Sequence, residues 1–401
     1  MNKTYYIGLD VHKDSIAIAY ALEGSREDPS YYGECGGSIL AAERTLRKLA
    51  KLLNQKLQDL KICYEAGPTG FILARRLRQL KVDCVLMAPS KTERKPNEVI
   101  KTDKRDAMLI AKLFRNGDIT PVRIPPVLDE AVRDLCRART DASDDLSRSK
   151  QRLNSFLLRV GFRYSGKTNW TDAHMRYLRE LSMPNEAHRL VLEEYIQAID
   201  FCSERVTRLE DRLRTTLTDW EWEPVVKALM ACKGFKEVAA MTIISELGDL
   251  RRFSHPRKLM AFLGLVPGEH SSGGKRRQGS ITKCGNSHAR WMLVECAQHY
   301  RRAPKVSKEL ATRQIGQNKK VKDLSWRMQN RLSKRYKLLR ARGIMDSKCI
   351  VAIARELSAF IWELQNKCQL TMPEPQDQGS TRGCAPQTHL HQGFGGRARA
   401  N

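Results

Sequence analysis

Four carboxylate side chains have the positions that metal-dependent chemistry requires. Asp10 and Glu65 each end an apolar run that predicts a strand. Asp103 and Asp106 lie three residues apart where a helix is predicted to begin, so they can point the same way. Carboxylate oxygens are the ligands that hard divalent cations prefer. The pattern therefore predicts a metal site, with Mg²⁺ or Mn²⁺ as the cofactor.

The charge of the chain indicates what such a site would act on. The 401 residues include 71 Lys and Arg against 45 Asp and Glu, a formal net charge of +26. This balance favours a nucleic acid as the partner, with an anionic membrane surface as the other partner of basic proteins. No apolar run approaches the roughly 18–20 residues of a membrane helix. Because no signal-peptide pattern is present either, we expect a cytoplasmic protein without a membrane partner.

Residues 1–122 are predicted to form an α/β domain. Asp10 is followed at once by a return strand, the second acid ends a later strand, and the last two begin a helix. This order is the pattern of an RNase H-like nuclease core, in which two Mg²⁺ ions activate a nucleophile and stabilise a leaving oxygen. Asp14 is a nearby competitor, but its tight turn favours a turn role. The apolar patterns predict five strands and three helices here: Tyr5–Val11, Ser15–Tyr20, Tyr31–Cys35, Leu60–Glu65 and Val82–Met87, with helices Ala41–Leu57, Thr69–Leu80 and Lys104–Phe114.

Residues 123–222 are predicted to be a helical linker or oligomerisation region. Three prolines mark its start, and apolar residues then repeat close to a heptad over 128–160 and over 192–213. Residues 161–185 separate the two repeats. The pattern fits an intramolecular helical hairpin and a coiled coil that joins chains into a dimer or tetramer equally well.

Residues 223–345 are predicted to be a mainly helical domain, followed by a C-terminal helix over 346–371. A Gly-centred turn within 231–240 is similar to one half of a helix-hairpin-helix, whose amide groups bind phosphate. An ordinary helix corner explains the same residues. The tail 372–401 is rich in Pro, Gln and Gly, so we expect it to be disordered. The 11 cysteines lack zinc-site spacing and are interpreted as small apolar residues.

A second group of chemically capable residues lies within 264–290. Ser271 and Ser272 precede two glycines, whose backbone lets a substrate approach closely. Because Ser-Gly-Gly is common in loops, these residues alone favour a phosphate-binding loop without covalent chemistry. Five basic residues nearby can bind phosphates and stabilise developing negative charge: Lys275, Arg276, Arg277, Lys283 and Arg290.

Six motifs, taken in order, resemble the transposases (recombinases) of insertion sequence family 110, in particular its 1111 subgroup. The resemblance covers roughly residues 3–310 in two blocks, and the helical region between them is less distinctive. The motifs are IGLDVHK at 7–13, YEAGPTG at 64–70, KTDKRDA at 101–107, FLGLVP at 262–267, SSGG at 271–274 and ITKCGN at 281–286.

The resemblance implies a RuvC-like N-terminal domain whose DEDD tetrad falls on the four acids. It also implies a C-terminal transposase domain whose essential serine falls on Ser272, with Ser271 as the adjacent alternative. Members of this family excise and insert their element through a Holliday-junction-like route, guided by a structured non-coding RNA called a bridge or seeker RNA. In the family, the tetrad and the serine belong to one composite site.

We therefore expect a Mg²⁺-dependent DNA recombinase that acts on donor and target DNA with a guide RNA. Ser272 would attack a scissile phosphate and form a transient phosphoserine link, which preserves the bond energy for strand exchange. One alternative is a RuvC-like endonuclease that uses water and gives no covalent adduct. Another is a non-catalytic nucleic-acid-binding protein, which would tolerate loss of all four acids.

Overall fold

Residues 3–88, 102–269 and 278–372 are the described part of a computed structural model. The chain folds into two compact units, of which the first ends at Ile124 and the second begins at Pro125. The first contains a mixed sheet and the second is mainly helical, as the sequence predicts. Among the described residues, no helix is long and apolar enough to span a bilayer. The tail from residue 373, which we expect to be disordered, lies outside the described part.

Six strands form the sheet of the first unit: β1 (Tyr5–Val11), β2 (Ser15–Leu22), β3 (Ser30–Gly36), β4 (Leu60–Glu65), β5 (Asp83–Met87) and β6 (Pro121–Val122). Their order across the sheet is β3-β2-β1-β4-β5-β6. The first three strands are antiparallel neighbours, whereas β1, β4 and β5 run parallel. All five predicted strands are present. The sixth escaped prediction because it has two residues and begins with proline, which only an edge strand accepts.

Three helices accompany this sheet: α1 (Ile39–Leu52), α2 (Ile72–Gln79) and α3 (Asp103–Asn116). The prediction that α1 continues to Leu57 is wrong, because Asn54 adopts a left-handed φ of 53° just after the helix. The prediction that α2 begins at Thr69 is also wrong, since residues 67–70 form a turn instead. Leu46 and Leu49 of α1 are fully buried in the core beneath the sheet.

Small residues allow α3 to lie directly on the sheet. A Cβ on Gly8 of β1 would lie 2.4 Å from both the Ala107 oxygen and the Ala111 nitrogen of α3. Both alanines are fully buried in a cluster with Ala17 and Ala19 of β2. This close approach places the first turn of α3, with its two aspartates, against the part of the sheet that contains Asp10.

Gly8→Ala is therefore expected to destabilise the protein by about 3 kcal/mol, because overpacking a core costs about that much and α3 backbone atoms cannot rotate away. Urea unfolding followed by circular dichroism measures the change. Gly36→Ala is the matched control, since the nearest atom to its added Cβ lies at 3.9 Å. Equal midpoints for the two variants would contradict the packing of α3 on β1.

The helical hairpin predicted for the middle region is present in the second unit. It consists of α4 (Val127–Arg159) and α6 (Glu186–Asp219), with the short helix α5 (Asp172–Glu180) between them. The pair is antiparallel, because Arg139 Nε donates to Glu210 Oε1 at 3.0 Å and Phe156 contacts Tyr195 further along. The apolar repeats thus face each other within one chain, and joining of chains through this region stays a prediction.

Within its described residues, the second unit is completed by seven α-helices and one β-hairpin. Their bounds are α7 (Glu223–Met230), α8 (Glu237–Leu247), α9 (Pro256–Phe262), β7 (Pro267–Glu269), β8 (Gln278–Ile281), α10 (Ser287–Ala297), α11 (Lys308–Arg313), α12 (Lys319–Ala341) and α13 (Asp346–Lys367). Buried residues from most of these elements share the largest apolar cluster of the protein, which includes Phe235 and Tyr300. The hairpin of β7 and β8 was not predicted, because its strands have three and four residues and little apolar content.

The Gly-centred turn between α7 and α8 packs against neighbouring backbone. Gly234 has a φ of 92°, and a Cβ there would lie 2.7 Å from the Cys296 oxygen. The guanidinium of Arg313 donates a hydrogen bond to the Phe235 oxygen. These contacts account for the glycine as part of a helix corner, and phosphate binding by this turn stays a prediction.

Candidate active site

Asp10 and Glu65 reach the same edge of the sheet. Because β1 and β4 are parallel, with Leu9 paired to Tyr64, the next residue of each strand lies at neighbouring positions. The side chain of Asp10 is only 15% exposed. Glu65 is the last residue of β4 and is followed by a turn that begins at Gly67.

The other two acids lie in the first turn of α3. Thr102 caps this helix, and its side chain accepts a hydrogen bond from the Arg105 nitrogen at 3.4 Å. Asp103 and Asp106 follow directly, where negative charge is favoured by the unpaired amide groups of a helix N-terminus. The cap thus fixes where α3 begins and which way both carboxylates leave it.

A cleft of about 1040 Å³ opens at this edge of the sheet. Asp10, Glu65 and Asp106 all line it, together with His12 and the turn after β4. Apolar residues of α2 and α3, including Leu73 and Ile110, complete its wall. The cleft therefore brings acids from two strands and one helix to one water-accessible space, large enough for a segment of a polymeric substrate.

Three side chains in this region have the spacing of a metal site. His12 Nε2 lies 3.1 Å from Asp10 Oδ2 and 3.7 Å from Asp103 Oδ1. The ligand atoms of all three groups lie within 4.8 Å of one another. Such a set of two carboxylates and one imidazole could hold a divalent cation.

The surroundings of Asp10 disfavour its ionised form. Burial raises the pKa of its carboxyl, and the nearby carboxylates of Asp106 and Asp103 raise it further. The hydrogen bond and positive charge of His12 oppose this rise in pKa only in part. An ionised Asp10 is therefore costly in the protein alone, and a bound cation would remove that cost.

His12 is a possible ligand that sequence reasoning did not identify. It lies between β1 and β2, where its backbone nitrogen donates a hydrogen bond to the Ser15 oxygen at 2.9 Å. It follows Asp10 by two positions, and alternate residues of a strand point to the same face. That spacing was the available signal, and the imidazole does lie beside the Asp10 carboxylate.

His12→Ala is expected to weaken Mn²⁺ binding about tenfold, the usual size of effect when a ligand or its hydrogen-bonding partner is lost. Isothermal titration calorimetry of the DNA-free protein measures this. Lys13→Ala is the matched control, since Lys13 also lines the cleft but has no affinity for cations. Unchanged Mn²⁺ affinity in His12→Ala would show that the imidazole takes no part in the site.

Five residues predicted for the second cluster lie outside the described part of the chain: Ser271, Ser272, Lys275, Arg276 and Arg277. The strands on either side are described. β7 pairs antiparallel with β8, with Glu269 opposite Gln278. The chain therefore enters and leaves the serine segment at two paired positions of one hairpin.

Two glycines lock the base of this hairpin. Gly264 and Gly285 have φ values of 63° and 75°, which disfavour any side chain. A Cβ on Gly264 would lie 2.3 Å from the Cys284 oxygen, and one on Gly285 would lie 1.9 Å from the Phe262 oxygen. The segments before β7 and after β8 are thus packed backbone against backbone.

Arg290 also stabilises the base of the hairpin of β7 and β8. Its Nη1 donates to the Leu263 oxygen at 2.9 Å and to the Cys284 oxygen at 3.1 Å. This nitrogen holds the base of the hairpin, so only the rest of the guanidinium is available for the predicted phosphate contact. Lys283 is exposed beside it and has a φ of 56°.

A buried carboxylate that sequence reasoning missed holds the loop after β8. Glu246 of α8 has a side chain only 1% exposed, and it accepts hydrogen bonds from Arg137 Nε at 2.7 Å and from Asn286 Nδ2 at 2.7 Å. The Oδ1 atom of Asn286 in turn caps α10 by accepting from the Ala289 nitrogen at 2.9 Å. Charge-assisted bonds of this kind are among the stronger ones in proteins, so Glu246 fixes the start of α10.

Two protein families match the chain in its two halves. The family described as Transposase IS116/IS110/IS902 matches residues 226–312. A second one, described as Transposase and defined by the DEDD domain of IS110 elements, matches residues 7–162. The four carboxylates Asp10, Glu65, Asp103 and Asp106 fall within the second range. The chain is accordingly a transposase, an enzyme that processes DNA.

Individual relatives agree with this class over most of the chain. The y4qE protein of Sinorhizobium fredii is 38% identical over 366 residues, which cover 91% of this chain and 90% of that protein. The transposase for insertion sequence element IS1533 of Leptospira borgpetersenii is 31% identical, covering 84% of this chain and 97% of that protein. The transposase for insertion sequence element IS1111A of Coxiella burnetii is 28% identical over 66% of each chain. This protein belongs to the IS116/IS110/IS902 family of transposases.

Proposed function

We propose that this transposase is a divalent-metal-dependent recombinase that cuts and rejoins DNA strands to move an insertion sequence. The observation that carries the proposal is the meeting of Asp10, Asp103 and His12 within 4.8 Å, in a region whose cleft is also lined by Glu65 and Asp106. DNA follows from membership of a transposase family. The net charge of +26 supports the same partner.

We assign the first unit to the RNase H-like, RuvC-like class. The support is its strand order, with three antiparallel strands beside two parallel ones. Acids at the ends of β1 and β4 and at the start of the next helix after β5 fit the same class. In this proposal residues 1–122 are the nuclease domain, 123–222 the helical region, 223–345 the transposase domain and 346–371 a C-terminal helix.

The four carboxylates would hold Mg²⁺ or Mn²⁺ where the scissile phosphate binds. When bound, the metal neutralises charge on the phosphate and lowers the pKa of the attacking hydroxyl. The carboxylate of Asp10 would gain from a nearby cation, because burial raises its pKa and so disfavours its ionised form.

Ser272 is the proposed nucleophile. Its Oγ forms a bond to phosphorus while the bond from phosphorus to the leaving strand oxygen breaks, and the serine proton passes through solvent to that oxygen. A hydroxyl of the second strand then attacks the phosphoserine and regenerates Ser272, so the bond energy is conserved. Lys275, Arg276, Arg277 and Lys283 bind backbone phosphates beside it.

Two partners complete the proposal. A structured guide RNA, as the resemblance implies, selects the target DNA by base pairing. A second copy of the chain forms a dimer or tetramer through the helical region. Because the apolar repeats of α4 and α6 face each other, residues on the outer faces of these helices make the proposed contacts between chains. Leu158 and Phe201 are two such residues, and they are 60% and 62% exposed.

A strand-exchange assay tests the proposed function. Purified protein, guide RNA and labelled donor and target duplexes are combined with Mg²⁺, with Mn²⁺, or with EDTA. We expect joined products with either metal and none with EDTA. Joined products in EDTA would overturn the metal-dependent mechanism. Cleaved but unjoined DNA without a protein adduct would instead favour an endonuclease that uses water.

A further inference from the structure

A second cleft lies in the second unit, between α9, α12 and α13, and has a volume of about 500 Å³. Its floor is apolar, with Met260 and Phe360 among the lining residues. Its charged lining is dominated by cations, four arginines against two glutamates. We call it the arginine cleft and define it by Arg257, Arg331, Arg335, Arg355, Glu356 and Glu363.

The two glutamates neutralise only part of this charge. Glu356 accepts a hydrogen bond from Arg331 Nε at 3.0 Å and lies 3.4 Å from Arg335 Nε. Glu363 pairs at 2.6 Å with Arg327, which lies outside the lining. The three arginine side chains of these pairs are 42–64% exposed. Each ion pair therefore contributes little to the stability of the fold, and its arginine can also bind an incoming anion.

Arg257 and Arg355 have no such partner. Within the described residues, no carboxylate lies within 4.0 Å of either guanidinium. They come from different helices, α9 and α13, and converge on one cavity. Two uncompensated guanidinium groups facing a shared space are an arrangement that an anionic ligand would stabilise, since their planar forks match the geometry of phosphate oxygens.

The neighbouring helix α12 adds further positive charge beside the cleft. Helix α12 contains nine Lys and Arg against one acid in 23 residues. At 1.5 Å per residue it is about 34 Å long, close to one turn of duplex DNA. The exposed ring of Trp326 lies on the same helix. A cation-rich helix of this length beside a pocket is suited to an extended polyanion rather than to a small phosphorylated ligand.

We propose that the arginine cleft and α12 bind the phosphodiester backbone of duplex DNA, through residues other than those assigned to catalysis. DNA is chosen because membership of a transposase family itself supplies this partner. The proposal goes beyond the proposed function and needs neither metal nor Ser272. Helices α12 and α13 begin after residue 312, so they lie beyond both ranges that match a family.

The test is the salt dependence of DNA binding by the full-length protein. Fluorescence anisotropy with a labelled duplex, in EDTA so that no cleavage occurs, gives the dissociation constant at several salt concentrations. The variant is Arg257→Ala/Arg355→Ala. Its matched control is Arg208→Ala/Arg214→Ala on α6, which removes the same charge from two exposed, ion-paired arginines. A Glu363→Gln variant changes the cleft in the opposite direction.

In Arg257→Ala/Arg355→Ala we expect the slope of log affinity against log salt to become shallower by about 2, close to 0.9 for each lost phosphate contact. The α6 control should keep the wild-type slope, and Glu363→Gln should bind DNA more tightly. An unchanged slope in the cleft variant, or an equal change in the control, would overturn the proposal. So would a change seen only with a structured RNA, which would make the cleft an RNA site. Because EDTA removes the metal, these outcomes are independent of the strand-exchange result.

Discussion

Asp10→Ala is expected to abolish metal-dependent DNA cleavage while leaving DNA affinity nearly unchanged. The loss should be on the order of 10³-fold, the size seen when a group that stabilises transition-state charge is removed. DNA binding should persist because it depends on Lys and Arg contacts to phosphates. Cleavage of a labelled duplex and anisotropy of the same duplex measure the two properties on one protein preparation.

Asp10→Ala is also expected to change the thermal stability of the protein. Because the folded-state pKa of Asp10 is raised, its protonated form is favoured by folding, and that stability is lost as pH rises through the folded pKa. At neutral pH the ionised carboxylate is therefore a net cost. Asp10→Ala should unfold at a higher temperature than wild type in EDTA, yet lose the stabilisation that Mn²⁺ gives wild type.

Asp14→Ala is the matched control for both experiments. This aspartate lies in the turn after β1, is exposed and is not among the residues that line the cleft. It should retain cleavage and the Mn²⁺-dependent rise in unfolding temperature. If Asp10→Ala instead loses DNA binding and unfolds several degrees lower in EDTA, Asp10 has a structural role and the metal site is wrongly assigned.

Ser272→Ala is expected to abolish both covalent protein–DNA adducts and strand exchange. Removal of a nucleophile typically costs on the order of 10⁴- to 10⁶-fold, because the attacking oxygen is lost. Denaturing gel electrophoresis of reactions with labelled DNA detects the adduct directly. Metal binding, measured by calorimetry, should be unchanged, since the four acids and His12 are all retained.

Ser271→Ala is the control for the choice between the adjacent serines, and it should form adducts at the wild-type level. Ser280→Ala, at an exposed position of β8, tests for any general effect of losing a hydroxyl close in sequence to the two serines. Adducts that persist in Ser272→Ala and vanish in Ser271→Ala would move the nucleophile by one residue. Adducts that persist in both Ser271→Ala and Ser272→Ala would show that neither serine is the required nucleophile.

Much of the first unit was predictable, because its signals are local. Apolar runs bounded by polar residues predict β1, β2, β4 and β5, and Thr102 before an acidic turn is typical of a helix start. The same apolar runs also predict that Asp10 and Glu65 lie where strands end. Strands that share a direction bring their ends to one edge, so the meeting of Asp10 and Glu65 was within reach of the sequence.

The remaining features depend on contacts between residues far apart in the chain. Gly8 is informative only once α3 is known to lie on it, and Glu246 only once Arg137 and Asn286 are known to reach it. The contacts that Arg290 makes with two backbone oxygens were not predictable, because a charge pattern does not reveal them. The arginine cleft likewise needs three helices to converge, which no periodicity encodes.

One measurement tests the central claim most directly: mass spectrometry of peptides from a strand-exchange reaction stopped before completion. The metal-plus-serine mechanism predicts a nucleotide attached to Ser272 when Mg²⁺ or Mn²⁺ is present. It predicts no such peptide with EDTA or with Asp10→Ala protein. Cleaved DNA whose ends carry no protein, or an adduct on Ser272 that forms equally well in EDTA, would contradict the mechanism.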